Sequence, residues 1–580
     1  MRNFLRVSSV LFLVLAFSSL TFAGDKILGI DKVKELKYGT KIYGYSTLSP
    51  EERTRFEGRF WGVLENSIGP GHRWIVVELD GKYFQNSGII AGQSGSPVYI
   101  QVNGAEYQIG TVSYADRFPK NPIAYLTPIE EVLNSSCELP RALPEDNVIE
   151  EILKWFKESD EKDKLEKFSG LIARQSFTSG KSTTEPKLVS NESKEIKSGS
   201  VLGVQLAWGD FDYTGYGTVS YVDGKNIYMF GHPFLQLGPV EYRLVPARVL
   251  GVQASYSSSY IVAAPVAGAK PVGVISQDRE TGIYGVLGDE PKSSIPVKVN
   301  LTTSNGVKKE FNFNTVSDSN IGPILVGMGA FASVSSWSRA MGNTTLFLNG
   351  IIQVDDRTIE FNEAFYSSET SRGNVMGNVF NTVARKVDSL LENEYLKPHI
   401  TQITLNVKVF DEVRALKIEN VVLDSPVLRP GKEVHLKISL NQPRQEPKIV
   451  VLPLAIPSDL GDGVGRIVIG DASAIEKIEN QNSKVVNIAT LIKSLDNKRK
   501  ADAVYIYVVY PPSPIEPPKD SGDEKSGPIS VKKTSKRLFS NVEEYEIRIE
   551  DFMVHGKVVI EFKIGSVNGS GNGHGQEAKK

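Results

Sequence analysis

The chain has 580 residues, of which 40% are hydrophobic, and its formal net charge at pH 7 is -2. A single hydrophobic core normally supports a much shorter chain, so several domains are expected. The balanced charge, with no basic stripe interleaved with aromatic residues, argues against a nucleic-acid-binding protein.

The N-terminus predicts an export signal. Arg2 and Arg6 precede an apolar run over residues 7–20, and Thr21 and Ala23 supply small side chains for cleavage after Ala23. The run is shorter than the ~20 residues that span a bilayer, so we expect no transmembrane anchor once residues 1–23 are removed. The protein is therefore expected in the periplasm, in the cell envelope or outside the cell.

Residues 24–140 consist of short apolar runs broken by Gly, Asn and Pro, which predicts a β-barrel. This segment contains GIIAGQSGSPVYIQVNG, and we call its residues 92–97, Gly-Gln-Ser-Gly-Ser-Pro, the serine turn. A catalytic serine hydroxyl must lie on a tight turn where a base can take its proton and amides can face the developing oxyanion. Glycines flanking Ser94 provide such a turn, but a glycine-serine β-turn between two strands is the alternative.

The single cysteine, Cys137, has no disulfide partner and lies in SSCELP at the exit of this segment, so we interpret it as structural. Residues 141–198 predict a surface helix over 146–168, followed by a linker rich in Ser, Thr, Lys and Glu. Strand patterns resume over residues 199–318, where Asp223-Gly224 indicates a hairpin turn.

Residues 319–400 predict a mixed connecting region with a helix near 376–391. Alternation returns over residues 401–565, with Pro430-Gly431 between strands, which predicts an immunoglobulin-like β-sandwich as an accessory domain. The last residues, 566–580, have the composition of a disordered tail.

The serine turn resembles the G-D-S-G-G-P turn of chymotrypsin-like peptidases, and it matches more closely the G-M-S-G-S-P turn of the SpoIVB peptidase family, peptidase family S55. The flanking VLENSIGPGHRWIVVELDGKYFQNSGIIAGQSGSPVYI and IGTVSYADRFPKNPIAYLTPIEEVL are similar to that family's strand order and closing segment. The resemblance implies a mainly β protein, in which a chymotrypsin-like double β-barrel precedes the C-terminal sandwich and a few helices connect the parts.

An activated serine needs a base, and histidine suits this work near neutral pH. The sequence Phe230-Gly231-His232-Pro233 at a predicted strand end resembles the family's catalytic-histidine position, so the resemblance makes His232 the base. His72, close to Ser94 in sequence, is the competitor. The resemblance also places the third triad member at Asp80. Asp80 could instead be a hairpin aspartate in Asp80-Gly81, and Asp210 and Asp212 stay open as alternative triad members.

In the sporulation peptidases the histidine half precedes the serine half, whereas here Ser94 precedes His232, so the halves are exchanged in chain order. The resemblance implies an exported serine endopeptidase that acts on a protein or peptide through an acyl-enzyme. Ser94 would attack, His232 would move the proton, Asp80 would orient the imidazole, and the Gly92 and Ser94 amides would hold the oxyanion.

No cofactor or metal is implied. The alternatives are an inactive cell-envelope scaffold or binding protein on the same barrel, with partners on the sandwich, and a self-processing protein.

Overall fold

The structure is a computed structural model that describes residues 25–50, 53–67, 71–116, 120–136, 176–178, 195–266, 268–338, 342–368, 374–395, 398–479, 485–511, 530–534 and 541–565. Four predictions lie outside these residues: the export signal, the role of Cys137, the helix over 146–168 and the tail over 566–580.

The described helices are α1 (Ile30–Lys34), α2 (Lys82–Ser87), α3 (Ile129–Leu133), α4 (Gly322–Ser335), α5 (Val375–Leu391), α6 (Ala472–Glu479) and α7 (Ile488–Leu495). The first fifteen described strands are β1 (Lys41–Thr47), β2 (Arg53–Glu65), β3 (Arg73–Asp80), β4 (Ile90–Ala91), β5 (Pro97–Val102), β6 (Ala105–Tyr114), β7 (Ile123–Pro128), β8 (Ser176–Thr178), β9 (Val201–Gly209), β10 (Tyr213–Asp223), β11 (Asn226–Met229), β12 (Gly238–Gln253), β13 (Ser259–Pro265), β14 (Gly273–Arg279) and β15 (Gly282–Leu287).

The remaining described strands are β16 (Ser294–Thr303), β17 (Lys308–Val316), β18 (Thr344–Val354), β19 (Arg357–Ser367), β20 (Ile400–Phe410), β21 (Ala415–Leu423), β22 (Val427–Leu428), β23 (Glu433–Asn441), β24 (Lys448–Ala455), β25 (Gly463–Gly470), β26 (Ala503–Val509), β27 (Ser530–Thr534), β28 (Val542–Arg548), β29 (Met553–His555) and β30 (Lys557–Ile564). The prediction of a mainly β protein is confirmed.

The chain divides into two compact units. The first comprises Met1–Arg141, Ser182–Val204 and Gly215–Glu290, and the second comprises Ala142–Lys181, Gln205–Thr214 and Pro291–Lys580. The division falls inside strands β9 and β10.

The first unit contains a closed six-stranded barrel in the order β1-β2-β3-β7-β6-β5. Its strands alternate apolar and polar residues, so that one face of each strand packs in the barrel core. In β3, Ile75, Val77 and Leu79 are buried in that core, while the intervening residues face outward. A closed barrel therefore lies in the segment for which the sequence predicts one.

A second ring of strands, which we call the second barrel, has the order β9-β10-β11-β15-β14-β12 and closes because β12 also pairs with β9. Asp223 pairs with Asn226 across the β10–β11 hairpin, as the Asp223-Gly224 signal predicts. Strand β13 pairs antiparallel with β12 and parallel with β4, the short strand directly before the serine turn. The serine turn thus begins beside β13, a strand that extends the second barrel.

The second unit contains a sheet in the order β19-β18-β20-β16-β17, with β17 continuing to residues 207–209 of β9. Helix α5 confirms the helix predicted near 376–391, and its N-cap residue Asn374 accepts a hydrogen bond of 2.7 Å from the Gly377 amide. Strands β16 and β17 therefore belong to this sheet and not to the second barrel, which differs from the predicted boundary at 318.

The remaining strands of the second unit form a four-stranded sheet, β24-β23-β21-β29, and a six-stranded sheet, β22-β30-β25-β26-β28-β27. The two sheets share one hydrophobic core, to which Leu436 and Ile438 contribute from the first sheet and Ile467 and Ile506 from the second. The predicted start at residue 401 differs from the structure, because β20 lies between β18 and β16 in the other sheet.

Candidate active site

The serine turn is closed by its own backbone. The Gln93 amide donates to the Ile90 carbonyl at 3.0 Å, and the Ser96 amide donates to the Gln93 carbonyl at 2.9 Å. Gly92 and Gly95 have φ angles of 91° and 94°, in the left-handed region that favours glycine. The two flanking glycines therefore give the tight bend that the sequence predicts, with Ser94 partly exposed at its apex.

The serine turn is attached to both barrels. Its Gly95 amide donates to the Val112 carbonyl on β6 at 2.7 Å, and its Ser94 carbonyl accepts from the Thr218 amide on β10 at 2.9 Å. The Thr218 hydroxyl also donates to the Gly92 carbonyl at 3.1 Å. A Cβ atom on Gly95 would lie 2.0 Å from the Thr218 carbonyl oxygen, so this close approach requires glycine.

His232 follows two residues that also have positive φ, Phe230 at 73° and Gly231 at 69°. The Phe230 amide donates to the Thr218 carbonyl at 3.3 Å, so Thr218 is bonded to the serine turn on one side and to the histidine segment on the other. The Thr127 hydroxyl of the first barrel donates to the Gly231 carbonyl at 2.6 Å. The structure therefore places Ser94 and His232 on adjoining segments.

The His232 side chain is only 6% exposed. Its Nδ1 lies 2.7 Å from the carbonyl oxygen of Pro233. Because a carbonyl oxygen can only accept, Nδ1 carries the hydrogen in this contact. Rings of Tyr114 and Phe230 pack at centroid distances of 5.6 and 6.0 Å from the imidazole. The Pro233 carbonyl and the two rings thus hold the orientation of the imidazole.

The loop after His232 is held by Asp278, a fully buried residue on β14 that is not among the predicted site residues. Its carboxylate accepts hydrogen bonds from the Phe234 amide at 2.8 Å and the Leu235 amide at 2.7 Å. Burial raises the pKa of Asp278 to about 6, although these backbone bonds oppose the rise. The sequence signal was weak, because an Asp in GVISQDRETG reads equally well as a turn residue.

The Gly92 and Ser94 amides are the predicted oxyanion donors. Outside the regular sheet ladders, neither the Gly92 nor the Ser94 amide donates a hydrogen bond to any residue that the structure describes. The neighbouring Gln93 and Gly95 amides are both bonded. The Gln93 and Gly95 amides are thus committed to the turn and to β6, and the Gly92 and Ser94 amides stay the predicted oxyanion donors.

No hydrogen bond joins the Ser94 hydroxyl to His232 among the described residues. Catalytic hydrogen bonds are often long in the absence of substrate and shorten in the complex. The structure therefore brings the two segments together without a formed Ser–His bond.

Asp80 lies elsewhere on the first barrel. Strand β3 begins near the site, since the Trp74 ring packs 5.2 Å from that of Tyr114, which in turn packs on His232. Asp80 ends the same strand, six residues or about 20 Å farther along. Its exposed carboxylate lies 3.8 Å from Arg59 Nε. The structure does not bring Asp80 to the imidazole, and the group that contacts Nδ1 is the Pro233 carbonyl.

The other candidates have their own partners. His72 Nδ1 lies 3.2 Å from the Glu131 carboxylate, which also accepts from Arg73 Nε at 3.0 Å. Asp210 and Asp212 fall in the second unit, where Asp212 accepts from Gln205 at 2.7 Å. In the part of the chain that the structure describes, no group of three or more His, Cys, Asp or Glu side chains could hold a metal ion.

Comparison of the chain with protein-family models, with curated proteins and with solved structures finds no match. The resemblance to the SpoIVB peptidase family therefore stays a prediction, carried by the motifs quoted above. Among the described residues, no helix has the length and apolar character to cross a membrane.

Proposed function

We propose that this chain is an exported serine endopeptidase of the SpoIVB type, with a chymotrypsin-like pair of barrels and an immunoglobulin-like accessory sandwich. The observation that carries the proposal is the bonding of Thr218 to both Ser94 and Phe230, which brings the serine turn beside the histidine segment. The contact of His232 Nδ1 with the Pro233 carbonyl supports the same reaction.

In the proposed reaction the Ser94 hydroxyl attacks the carbonyl carbon of the scissile peptide, and Nε2 of His232 takes its proton. The Gly92 and Ser94 amides stabilise the oxyanion of the tetrahedral intermediate. His232 then gives the proton to the leaving amine, which leaves an acyl-enzyme on Ser94. In the second half His232 takes a proton from a water that attacks the ester carbonyl, and it returns that proton to Ser94 Oγ as the acid product leaves. The Pro233 carbonyl orients the imidazole without supplying a negative charge.

Labelling of the mature protein with a fluorophosphonate probe tests the proposal. We expect one adduct on Ser94, abolished in Ser94→Ala and kept in Ser257→Ala, which changes an exposed serine of the same unit. Well-folded wild-type protein that does not label, or labelling that persists in Ser94→Ala, would contradict a peptidase.

An inactive envelope scaffold is the second candidate. Two observations favour it: the Ser94 hydroxyl has no hydrogen bond to His232 among the described residues, and Asp80 does not reach the imidazole. A scaffold would bind its partners without cleaving them, so Ser94→Ala would retain its biological role. Complementation with the Ser94→Ala variant therefore separates the two candidates.

A further inference from the structure

Four side chains share the outer face of the first barrel, and we call them the apolar row: Leu64, Trp74, Tyr114 and Tyr125. Leu64 on β2 pairs directly with Trp74 on β3. Tyr125 on β7 pairs directly with Tyr114 on β6. Directly opposed residues of antiparallel strands point to the same face, and the core-facing neighbours Ile75 and Leu126 are fully buried.

The apolar row is continuous and ends at the candidate active site. The Trp74 ring lies 4.9 Å from the Tyr125 ring and 5.2 Å from the Tyr114 ring. The Tyr114 ring lies 5.6 Å from the His232 imidazole. The row therefore crosses four strands, from Leu64 at one end to the proposed general base at the other.

Solvent reaches the whole apolar row. Leu64 is 48% exposed, and the three aromatic side chains are half-buried. Polar groups border it: the Tyr125 hydroxyl donates to Asp116 at 2.9 Å, and Arg73 pairs with Glu131 at 3.0 Å. Partly exposed aromatic side chains with a polar rim are typical of binding surfaces.

The position of His232 selects the occupant. As general acid, the imidazole must contact the leaving amine, so the residues that follow the scissile bond have to pass beside His232. Tyr114 is the ring of the apolar row that packs on this imidazole. A substrate strand that continues from there crosses the row toward Leu64.

Resting on the proposed function, we propose that the apolar row binds the leaving-group side of an extended polypeptide substrate and selects apolar side chains there. The row contributes contact area and rejects charged segments, because a charged side chain would lose water without gaining a partner.

Binding to catalytically silent protein tests the proposal independently of turnover. The probe is a fluorescein-labelled extended peptide with Leu and Phe at alternate positions, and the reference peptide carries Ser and Thr instead. In the Ser94→Ala protein we expect Leu64→Asp to weaken binding of the apolar peptide about tenfold and to leave the reference peptide unchanged. Leu250→Asp is the matched control, since Leu250 is 43% exposed and lies on β12.

Equal weakening by both Asp variants, or unchanged binding in Leu64→Asp, would overturn the proposal. Two further results for Leu64→Asp would also overturn it. If peptide binding is unchanged but sedimentation with phosphatidylglycerol vesicles is lost, the row binds a membrane. If peptide binding is unchanged but a dimer seen by light scattering is lost, the row binds a second copy of the chain.

If the active protein cleaves a peptide library, we expect it to prefer apolar residues after the scissile bond. A preference for apolar residues only before that bond would refute the assignment of the row to the leaving-group side. If the protein binds the apolar peptide but never reacts with fluorophosphonate, the proposed peptidase activity is refuted, while peptide binding by the apolar row stands.

Discussion

The Asp278 carboxylate accepts a hydrogen bond of 2.8 Å from the amide of Phe234, two residues after His232. Asp278 is fully buried, while its partner amides belong to the loop that carries the imidazole and the Pro233 carbonyl. A buried side chain on a strand thus determines where a loop places the proposed base.

Asp278 makes stability depend on pH. Burial raises its pKa from the ordinary 3.8 to about 6 in the folded protein. The folded state therefore keeps this proton more tightly than the unfolded state, so the stabilisation is complete below about pH 4 and is lost as the pH rises through about 6. Relative to Asp278→Asn, we expect the wild-type unfolding free energy to fall by about 3 kcal/mol over this range.

Urea unfolding of both proteins at a series of pH values measures this difference. A wild-type advantage that grows with rising pH would show that the Asp278 carboxylate is stabilised as the anion.

His232 is expected to be the only one of the tested candidates that activates Ser94. We expect His232→Ala to slow fluorophosphonate labelling by at least about a hundredfold, because the hydroxyl loses its base. His72→Ala and Asp80→Asn should label within about twofold of wild type, since His72 pairs with Glu131 and Asp80 is an exposed partner of Arg59. Lost labelling in a folded His72→Ala protein would contradict the exchanged-halves arrangement.

Gly95 should not tolerate any side chain. In Gly95→Ala the new methyl group would lie 2.0 Å from the Thr218 carbonyl oxygen, and φ is 94°. We expect a loss of about 3 kcal/mol or more in unfolding free energy. Gly104→Ala is the control, because φ there is 79° but nothing lies within 4 Å. It should cost about 1 kcal/mol. Equal losses would mean that the turn can move away from β10.

The second unit contains a partly buried charge network around Arg499. Its guanidinium donates to Glu479 and to Glu544, each at 2.7 Å. Arg499→Met removes the cation shared by both carboxylates and leaves Glu479 with the Tyr507 hydroxyl as a donor, so we expect a loss of about 3 kcal/mol in chemical denaturation. Arg466→Met removes an exposed pair with Glu561 at 3.1 Å and should cost at most about 1 kcal/mol. A neutral Arg499→Met variant would show that solvent or rearrangement satisfies both carboxylates.

Local chemistry explains which parts of the fold were predictable. Period-two alternation identified the strands, and Asp223-Gly224 identified the β10–β11 hairpin, because both signals act between residues that are close in sequence. Alternation does not specify a partner strand. Strand β20 was therefore assigned to the C-terminal sandwich, although it pairs with β16 and β18.

The sequence by itself determined the serine turn, because glycines on both sides of Ser94 permit the positive φ angles that the bend requires. Only the tertiary structure decided what surrounds it. Thr218, which bonds to nearby Phe230, also bonds to the serine turn more than a hundred residues before it, and Asp278 reaches the His232 loop from another strand. Asp80 and Asp278 both sit beside strand ends in the sequence, yet one is exposed and the other fully buried. Burial and long-range pairing depend on how the barrels close, and no local pattern encodes that closure.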